Sequence, residues 1–135
     1  MVEVIFYEKP GCINNARQKR MLIAAGHSLE VKDLLQEVWE RAELRRYFDS
    51  KPVVEWFNQS APQVKSGEIV PDSVTEEEAI TLMLNEPLLI RRPLMNVGNG
   101  YMSGFDVLTV DSWIGLKQVD IDVDVDVDVE TCAHI

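Results

Sequence analysis

A stretch near the N-terminus decides the fold: residues 2–34 read VEVIFYEKPGCINNARQKRMLIAAGHSLEVKDL. Residues 2–7 are rich in β-branched and aromatic side chains, which predicts a buried strand. A Pro-Gly pair ends this strand. Residues 13–25 favour a helix, which a glycine then stops, and residues 28–34 can form a second strand. Because the order is strand, helix, strand, we expect a crossover that pairs the two strands in parallel.

The middle of the chain is predicted to be helical. Apolar positions at helical spacing favour a helix over residues 38–48. A proline at the start favours another short helix over residues 52–57, whereas residues 58–72 resemble a loop. Thr75 and Glu78 form a capping box, which predicts a helix that continues to residue 84.

The remainder predicts a β-hairpin and a last helix. Residues 94–97 favour a strand, and Gly98-Asn99-Gly100 is typical of a hairpin turn. Residues 106–116 favour a helix. We therefore predict an α/β fold in a single domain over residues 2–116. Residues 117–135 form an acidic Asp-Val tail that we expect to be disordered.

Composition narrows the classes of function. The chain has 135 residues, of which 46% are apolar and 27% charged, as in ordinary globular domains. The net charge of −10 argues against a nucleic-acid partner. Six of the acids lie between residues 119 and 135, where no Lys or Arg offsets them. The alternating acids do not match a calcium-binding loop, so no metal site is predicted.

The sequence carries no sign of a membrane or secretory protein. Its longest apolar run falls short of the roughly 20 residues that a membrane-spanning helix needs, and its first residues lack the features of a signal peptide. Cys12 and Cys132 lie 120 positions apart, which is not a disulfide framework. We therefore expect a cytoplasmic protein.

Cys12 is the main candidate for chemistry. It follows the first predicted strand, lies in a Pro-Gly turn and precedes a helix. Backbone N–H groups and the helix dipole stabilise a thiolate at such a position. The simpler interpretation is a small buried apolar residue. By contrast, His27 follows the end of the first predicted helix, so we expect it to bind backbone carbonyls.

Arg92 and Pro93 are the second candidate. A guanidinium presents a planar set of donors that suits an oxyanion or a thiolate. The alternative is a surface arginine beside an edge strand. An X–Pro bond at this place can be cis, although only about one in twenty such bonds is.

Taken together, these motifs resemble the ArsC/Spx family. The resemblance rests on residues 6–12, FYEKPGC, on residues 88–93, LLIRRP, and on Gly104-Phe105. The segments around Asn14 and residues 54–58, VEWFN, are similar to the nitrogenase-associated branch of that family. The resemblance implies a thioredoxin-like (glutaredoxin-like) mixed sheet with a helical insertion.

The resemblance also assigns roles to residues. Cys12 matches the nucleophile of the arsenate reductases, and Arg92, before Pro93, matches one of the three arginines that hold the oxyanion. Asn58 stands where another arginine is expected, and Gly104 or its neighbour stands at the third position. Each lost charge-assisted contact removes roughly 1.5–3 kcal/mol, which argues against direct arsenate reduction.

These features leave three functional interpretations. The first is a monothiol redox protein, because Asn15 replaces the second cysteine of a Cys-x-x-Cys pair. Its partner would be glutathione or glutaredoxin, with no bound cofactor, and Asn58 and Arg92 would orient the tripeptide carboxylate. The second is an inactive accessory protein that supports nitrogen fixation and contacts nitrogenase-related proteins. The third is an Spx-like transcriptional regulator.

Overall fold

In the computed structural model, which describes residues 1–116, one sheet of four strands lies between two helical layers. The strands are β1 (Glu3–Glu8), β2 (Ser28–Asp33), β3 (Leu94–Val97) and β4 (Gly100–Ser103). Their order is β2-β1-β3-β4. β1 pairs with β2 in parallel and with β3 in antiparallel, and β3 pairs with β4 in antiparallel. The predicted parallel crossover and mixed sheet are confirmed.

The helices are α1 (Ile13–Ala24), α2 (Arg41–Arg46), α3 (Pro62–Lys65), α4 (Glu76–Asn85) and α5 (Val107–Ile114), with short 3₁₀ turns at Val53–Trp56, Pro71–Ser73 and Pro87–Leu89. The capping box predicted for α4 is present, because Thr75 accepts from the Glu78 N–H and the Glu78 carboxylate accepts from the Thr75 N–H. Within residues 1–116, no helix is long and apolar enough to cross a bilayer.

Two sequence-based boundaries were wrong. The helix expected over residues 38–48 is limited to α2, since the backbone of Glu40 is extended and the Trp39 indole donates to the Leu34 carbonyl at 3.2 Å. The loop expected over residues 58–72 contains the single turn of α3, which begins at Pro62 and follows the fully buried Ala61. The expected tail, residues 117–135, lies outside the described residues.

Side chains on the two faces of β1 belong to two separate cores. Val4 and Phe6 pack with apolar residues of α1 and α5, namely Met21, Leu22 and Val110. Tyr7 faces the other way and packs with the helical insertion between β2 and β3, which contributes a larger cluster that includes Leu44, Phe48, Trp56, Phe57 and Met83. The sheet is therefore buried on both faces, and its ends are left to carry functional residues.

The first prediction concerns the core that anchors α1. Leu22 is fully buried, whereas Leu108 on α5 is 77% exposed. Leu22→Ala should lower the free energy of unfolding by about 2–5 kcal/mol, because it removes methyl groups from a packed core. Leu108→Ala, the same substitution on a helix surface, should change it by less than about 0.5 kcal/mol. Urea unfolding measures both, and equal effects would contradict this packing.

Candidate functional site

Cys12 lies where β1 gives way to α1. A tight turn follows β1, in which the Cys12 N–H donates to the Lys9 carbonyl at 3.1 Å. Gly11 has a φ of +84°, a left-handed conformation that favours glycine. Cys12 is the N-cap of α1, and its sulfur accepts the Asn15 N–H at 3.5 Å. The sulfur thus occupies the position where a helix N-terminus stabilises negative charge.

The Cys12 side chain is 4% exposed. Its sulfur is part of a disulfide bond in this structure. Thiolate chemistry at this position therefore belongs to the reduced protein, and experiments on it begin with reduction.

A buried network of side-chain amides holds the turn between β1 and α1 in place. The Lys9 N–H donates to Asn15 Oδ1 at 3.0 Å, and Asn15 Nδ2 donates to Gln18 Oε1 at 2.8 Å. Asn15 is 1% exposed and Gln18 is fully buried. The sequence identified Asn15 only as the replacement for a second cysteine. Its structural role depends on a contact with a residue six positions earlier, which no local pattern indicates.

Arg92 is the second predicted site residue, and it is almost completely buried, at 2% exposed. Its Nε, Nη1 and Nη2 atoms are all buried, and none of them has a hydrogen-bond partner in the described part of the chain. Burial lowers the pKa of Arg92 to about 10, so the side chain still carries a charge near neutral pH. A buried guanidinium without a partner is costly, and an anionic ligand would supply its missing acceptors.

The sheet brings Arg92 and Pro93 to the same end as Cys12. In the antiparallel pair of β1 and β3, Tyr7 lies opposite Leu94. Pro93 therefore lies level with Glu8, the last residue of β1, and Arg92 lies beyond that end, where the Cys12 turn begins. The Arg92–Pro93 peptide bond is cis, and the Pro93 carbonyl accepts the Gly104 N–H at 2.9 Å.

Asn58 lies beside the segment that leads to Arg92. Its backbone N–H donates to the Leu89 carbonyl at 2.7 Å, and its side-chain Nδ2 donates to the Leu88 carbonyl at 3.1 Å. Its Oδ1 accepts the Ser60 N–H at 3.0 Å. These contacts hold two chain segments together, and one Nδ2 hydrogen is left over for a ligand. A direct role for Asn58 in anion binding stays a prediction.

Two other polar residues, one in α1 and one just after it, have structural partners. Lys19 forms an ion pair with Glu8 at 2.5 Å, so its charge is offset locally. His27 is buried; its Nδ1 accepts the Val2 N–H at 3.2 Å, and its Nε2 lies 2.8 Å from the Gly115 carbonyl. The predicted role of His27 in binding backbone groups is confirmed.

The amide network yields a second prediction. Asn15→Ala should lower the free energy of unfolding of the reduced protein by about 1–3 kcal/mol, because it leaves the Lys9 N–H and the Gln18 amide without partners. Asn14→Ala is the matched control, since the Asn14 side chain accepts a hydrogen bond from Arg17 at 3.4 Å, within α1. Urea unfolding compares them, and an Asn15 effect no larger than the control would refute the role of this network.

Comparison with known proteins identifies the family. The model of the ArsC family matches residues 9–111. A Rhodospirillum rubrum protein, named as an uncharacterized 15.7 kDa protein in the draG 3′ region, is 52% identical over 120 residues. That match covers 89% of this chain and 84% of the relative.

Solved structures agree with the fold. An ArsC-family-related protein from Bacteroides fragilis superposes with a TM-score of 0.71 at 23% identity, over 81% of this chain and 95% of that one. An arsenate reductase from Vibrio cholerae gives a TM-score of 0.67 at 19% identity, over 81% and 98%. The resemblance drawn from the sequence is confirmed: this chain belongs to the ArsC family and has its thioredoxin-like fold.

Proposed function

We propose that this chain is a monothiol redox protein in which reduced Cys12 forms a mixed disulfide with glutathione or glutaredoxin. One observation carries the proposal. The Cys12 sulfur caps α1 and accepts the Asn15 N–H. At the same end of the sheet lies the Arg92 guanidinium, which has no hydrogen-bond partner among residues 1–116. Exchange needs an attacking thiolate, and an anion-binding group at the same end of the sheet would hold a negatively charged thiol peptide near it.

The proposed reaction is thiol–disulfide exchange. The Cys12 thiolate attacks one sulfur of oxidised glutathione, so that the S–S bond of glutathione breaks and a bond between Cys12 and glutathione forms. The other glutathione leaves as a thiolate and takes a proton from solvent. A second reduced glutathione, or the thiol of glutaredoxin, then attacks the mixed disulfide and regenerates the Cys12 thiolate.

Arg92 and Asn58 would act on the ligand rather than on the sulfur–sulfur bond. Glutathione carries two carboxylates, and a carboxylate offers the paired acceptors that suit a guanidinium. The three nitrogens of Arg92, which have no hydrogen-bond partner in the described part of the chain, support this assignment. Asn58 would contribute its remaining Nδ2 hydrogen, and Pro93 would shape the wall of the site next to Arg92.

Two features favour exchange with glutathione over the two other reactions known in the family, Cys-x-x-Cys exchange and arsenate reduction. Asn15 occupies the position of a second cysteine, and both polar ends of its side chain are used to hold the turn. A Cys-x-x-Cys exchange within α1 is therefore ruled out by the sequence. The single matched oxyanion arginine, Arg92, argues against arsenate as the substrate.

The biological setting of the proposal is nitrogen fixation. The Rhodospirillum rubrum relative is named for the draG 3′ region, and the sequence resembles the nitrogenase-associated branch of the family. This supports a role near nitrogenase-related proteins. It also favours a second candidate, an accessory protein that binds such a partner without thiol chemistry. Partner binding that does not change in Cys12→Ser would favour that candidate.

The third prediction tests the nucleophile. In a Cys132→Ser background, reduced protein mixed with oxidised glutathione should gain one glutathione per chain, which mass spectrometry detects. Cys12→Ser in the same background should gain none, because it lacks the attacking sulfur. A glutathione adduct of equal yield in the Cys12→Ser protein would contradict the proposal.

The fourth prediction separates function from stability at Arg92. Arg92→Met should slow adduct formation about tenfold or more, because it removes the group that attracts the anion. The same change should leave the free energy of unfolding equal or raise it by roughly 1–4 kcal/mol, because a buried charge without a partner is lost. Rates by mass spectrometry and urea unfolding measure the two effects.

The exposed Arg20 of α1 provides the control, and Arg20→Met should change both quantities little. If Arg92→Met instead unfolds the protein more easily and leaves the rate unchanged, Arg92 has a structural role and the proposed anion site is wrong.

A further inference from the structure

A cavity of about 360 Å³ lies at the end of β4. Its lining combines two cationic with two anionic side chains, together with hydroxyl groups: Lys51, Arg91, Glu55, Asp106, Ser103 and Thr109. None of these residues was identified from the sequence. Pockets that bind small ligands have volumes of this order and a few well-placed polar groups.

Lys51 is the cation with capacity for a ligand. Its ammonium donates to the Ser103 carbonyl at 2.5 Å and lies 3.5 Å from the Ser103 hydroxyl. An ammonium has three N–H donors, so one is left. Among residues 1–116, it forms no ion pair. Burial, followed by the charge of Arg91, lowers the pKa of Lys51, and a bound carboxylate would offset both effects.

The two acids supply the opposite charge on the exposed side of the cavity. Glu55 and Asp106 are exposed. Asp106 caps α5, where its Oδ2 accepts both the N–H and the hydroxyl of Thr109. Its Oδ1 is left for another donor. The cavity thus offers a cation for a carboxylate and carboxylates for an ammonium, a pattern that fits a zwitterion.

The cavity lies at the same end of the sheet as the turn that carries Cys12. Ser103 pairs with Leu94, which in turn pairs with Tyr7 at the end of β1. Two strand spacings separate β4 from β1, or about 10 Å. An extended tripeptide spans about 10 Å. A peptide whose thiol reaches Cys12 can therefore place one end in this cavity.

We propose that this cavity binds the α-amino-acid end of a thiol peptide, its carboxylate at Lys51 and its ammonium at Glu55 and Asp106. This inference rests on the proposed function, because it assigns the glutamyl end of glutathione a site. A free amino acid carries the same carboxylate and ammonium, so the experiment compares a thiol peptide with a free amino acid.

The experiment measures non-covalent binding in a Cys12→Ser, Cys132→Ser protein, where no adduct can form. Isothermal titration compares glutathione, glutamate, and glutathione that lacks its α-amino group. Glutathione should bind about tenfold more tightly than the desamino peptide, because only the peptide with the amino group pairs with the acids. Glutamate should bind more weakly than glutathione. Equal affinity for the two peptides, or glutamate as tight as glutathione, would overturn the proposal.

Variants of the charged residues test which of them binds the carboxylate of the ligand and which bind its ammonium. Lys51→Gln should weaken glutathione binding about tenfold, Lys51→Arg should preserve it, and Lys65→Gln on the exposed face of α3 is the control. The pair Glu55→Gln, Asp106→Asn retains a good helix cap. It should weaken the binding of glutathione but not of the desamino peptide. Loss of binding in the control, or equal losses for both peptides in the acid variant, would overturn the proposal.

The reaction of Cys12 with hydroxyethyl disulfide, which has no charged end, separates this inference from the proposed function. If reduced Cys12 reacts but glutathione binding does not depend on Lys51, the cavity assignment fails and the redox proposal stands. If Cys12 does not react but binding depends on Lys51 and on the ligand's amino group, the redox proposal fails and the cavity assignment stands.

Discussion

The backbone pairing between β1 and β3 is the constraint on which the candidate site depends. Because Tyr7 lies opposite Leu94, the turn that follows β1 and the residues that precede β3 meet at one end of the sheet. A shift of register by one residue would turn the side chains of β3 to the opposite face. Leu94 and Met95 pack in the two different cores, and this alternation holds the register in place.

Two kinds of polar group lie at that end of the sheet, and they differ in their hydrogen bonding. The amides of Asn15 and Asn58 are bonded to the backbone and hold loops in place. The Arg92 guanidinium is buried, and within residues 1–116 it forms no such bonds. A fold tolerates a costly group when that group serves a function. The contrast is the main reason to interpret Arg92 as a ligand-binding residue rather than a structural one.

Much of the fold could be predicted from the sequence, because strong local signals agree with the tertiary structure. The α1 helix, β3 and the capping box of α4 correspond to predicted elements. The insertion was harder to predict, since α2 is short and its surroundings are fixed by aromatic packing, such as the stacking of Phe48 on Trp56 at 4.6 Å. The spacing of apolar residues in a sequence is the same whether they pack as an aromatic cluster around a short helix or lie on one face of a longer helix.

The candidate site was predictable only in part. Cys12 and Arg92 belong to recognisable motifs, and the sheet brings them to the same end. Lys51 has no motif, and its contact with Ser103 joins residues 52 positions apart. Contacts over such distances result from the packing of the insertion against β4, which a single sequence does not encode in a readable pattern.

Activation of the Cys12 thiol is measured by its rate of alkylation as a function of pH, in reduced Cys132→Ser protein, with glutathione measured alongside. If the start of α1 stabilises the Cys12 thiolate, the half-maximal rate will be reached at a clearly lower pH than for glutathione. A midpoint at or above that of glutathione, or no labelling without denaturant, would show that Cys12 is inert and would contradict the account.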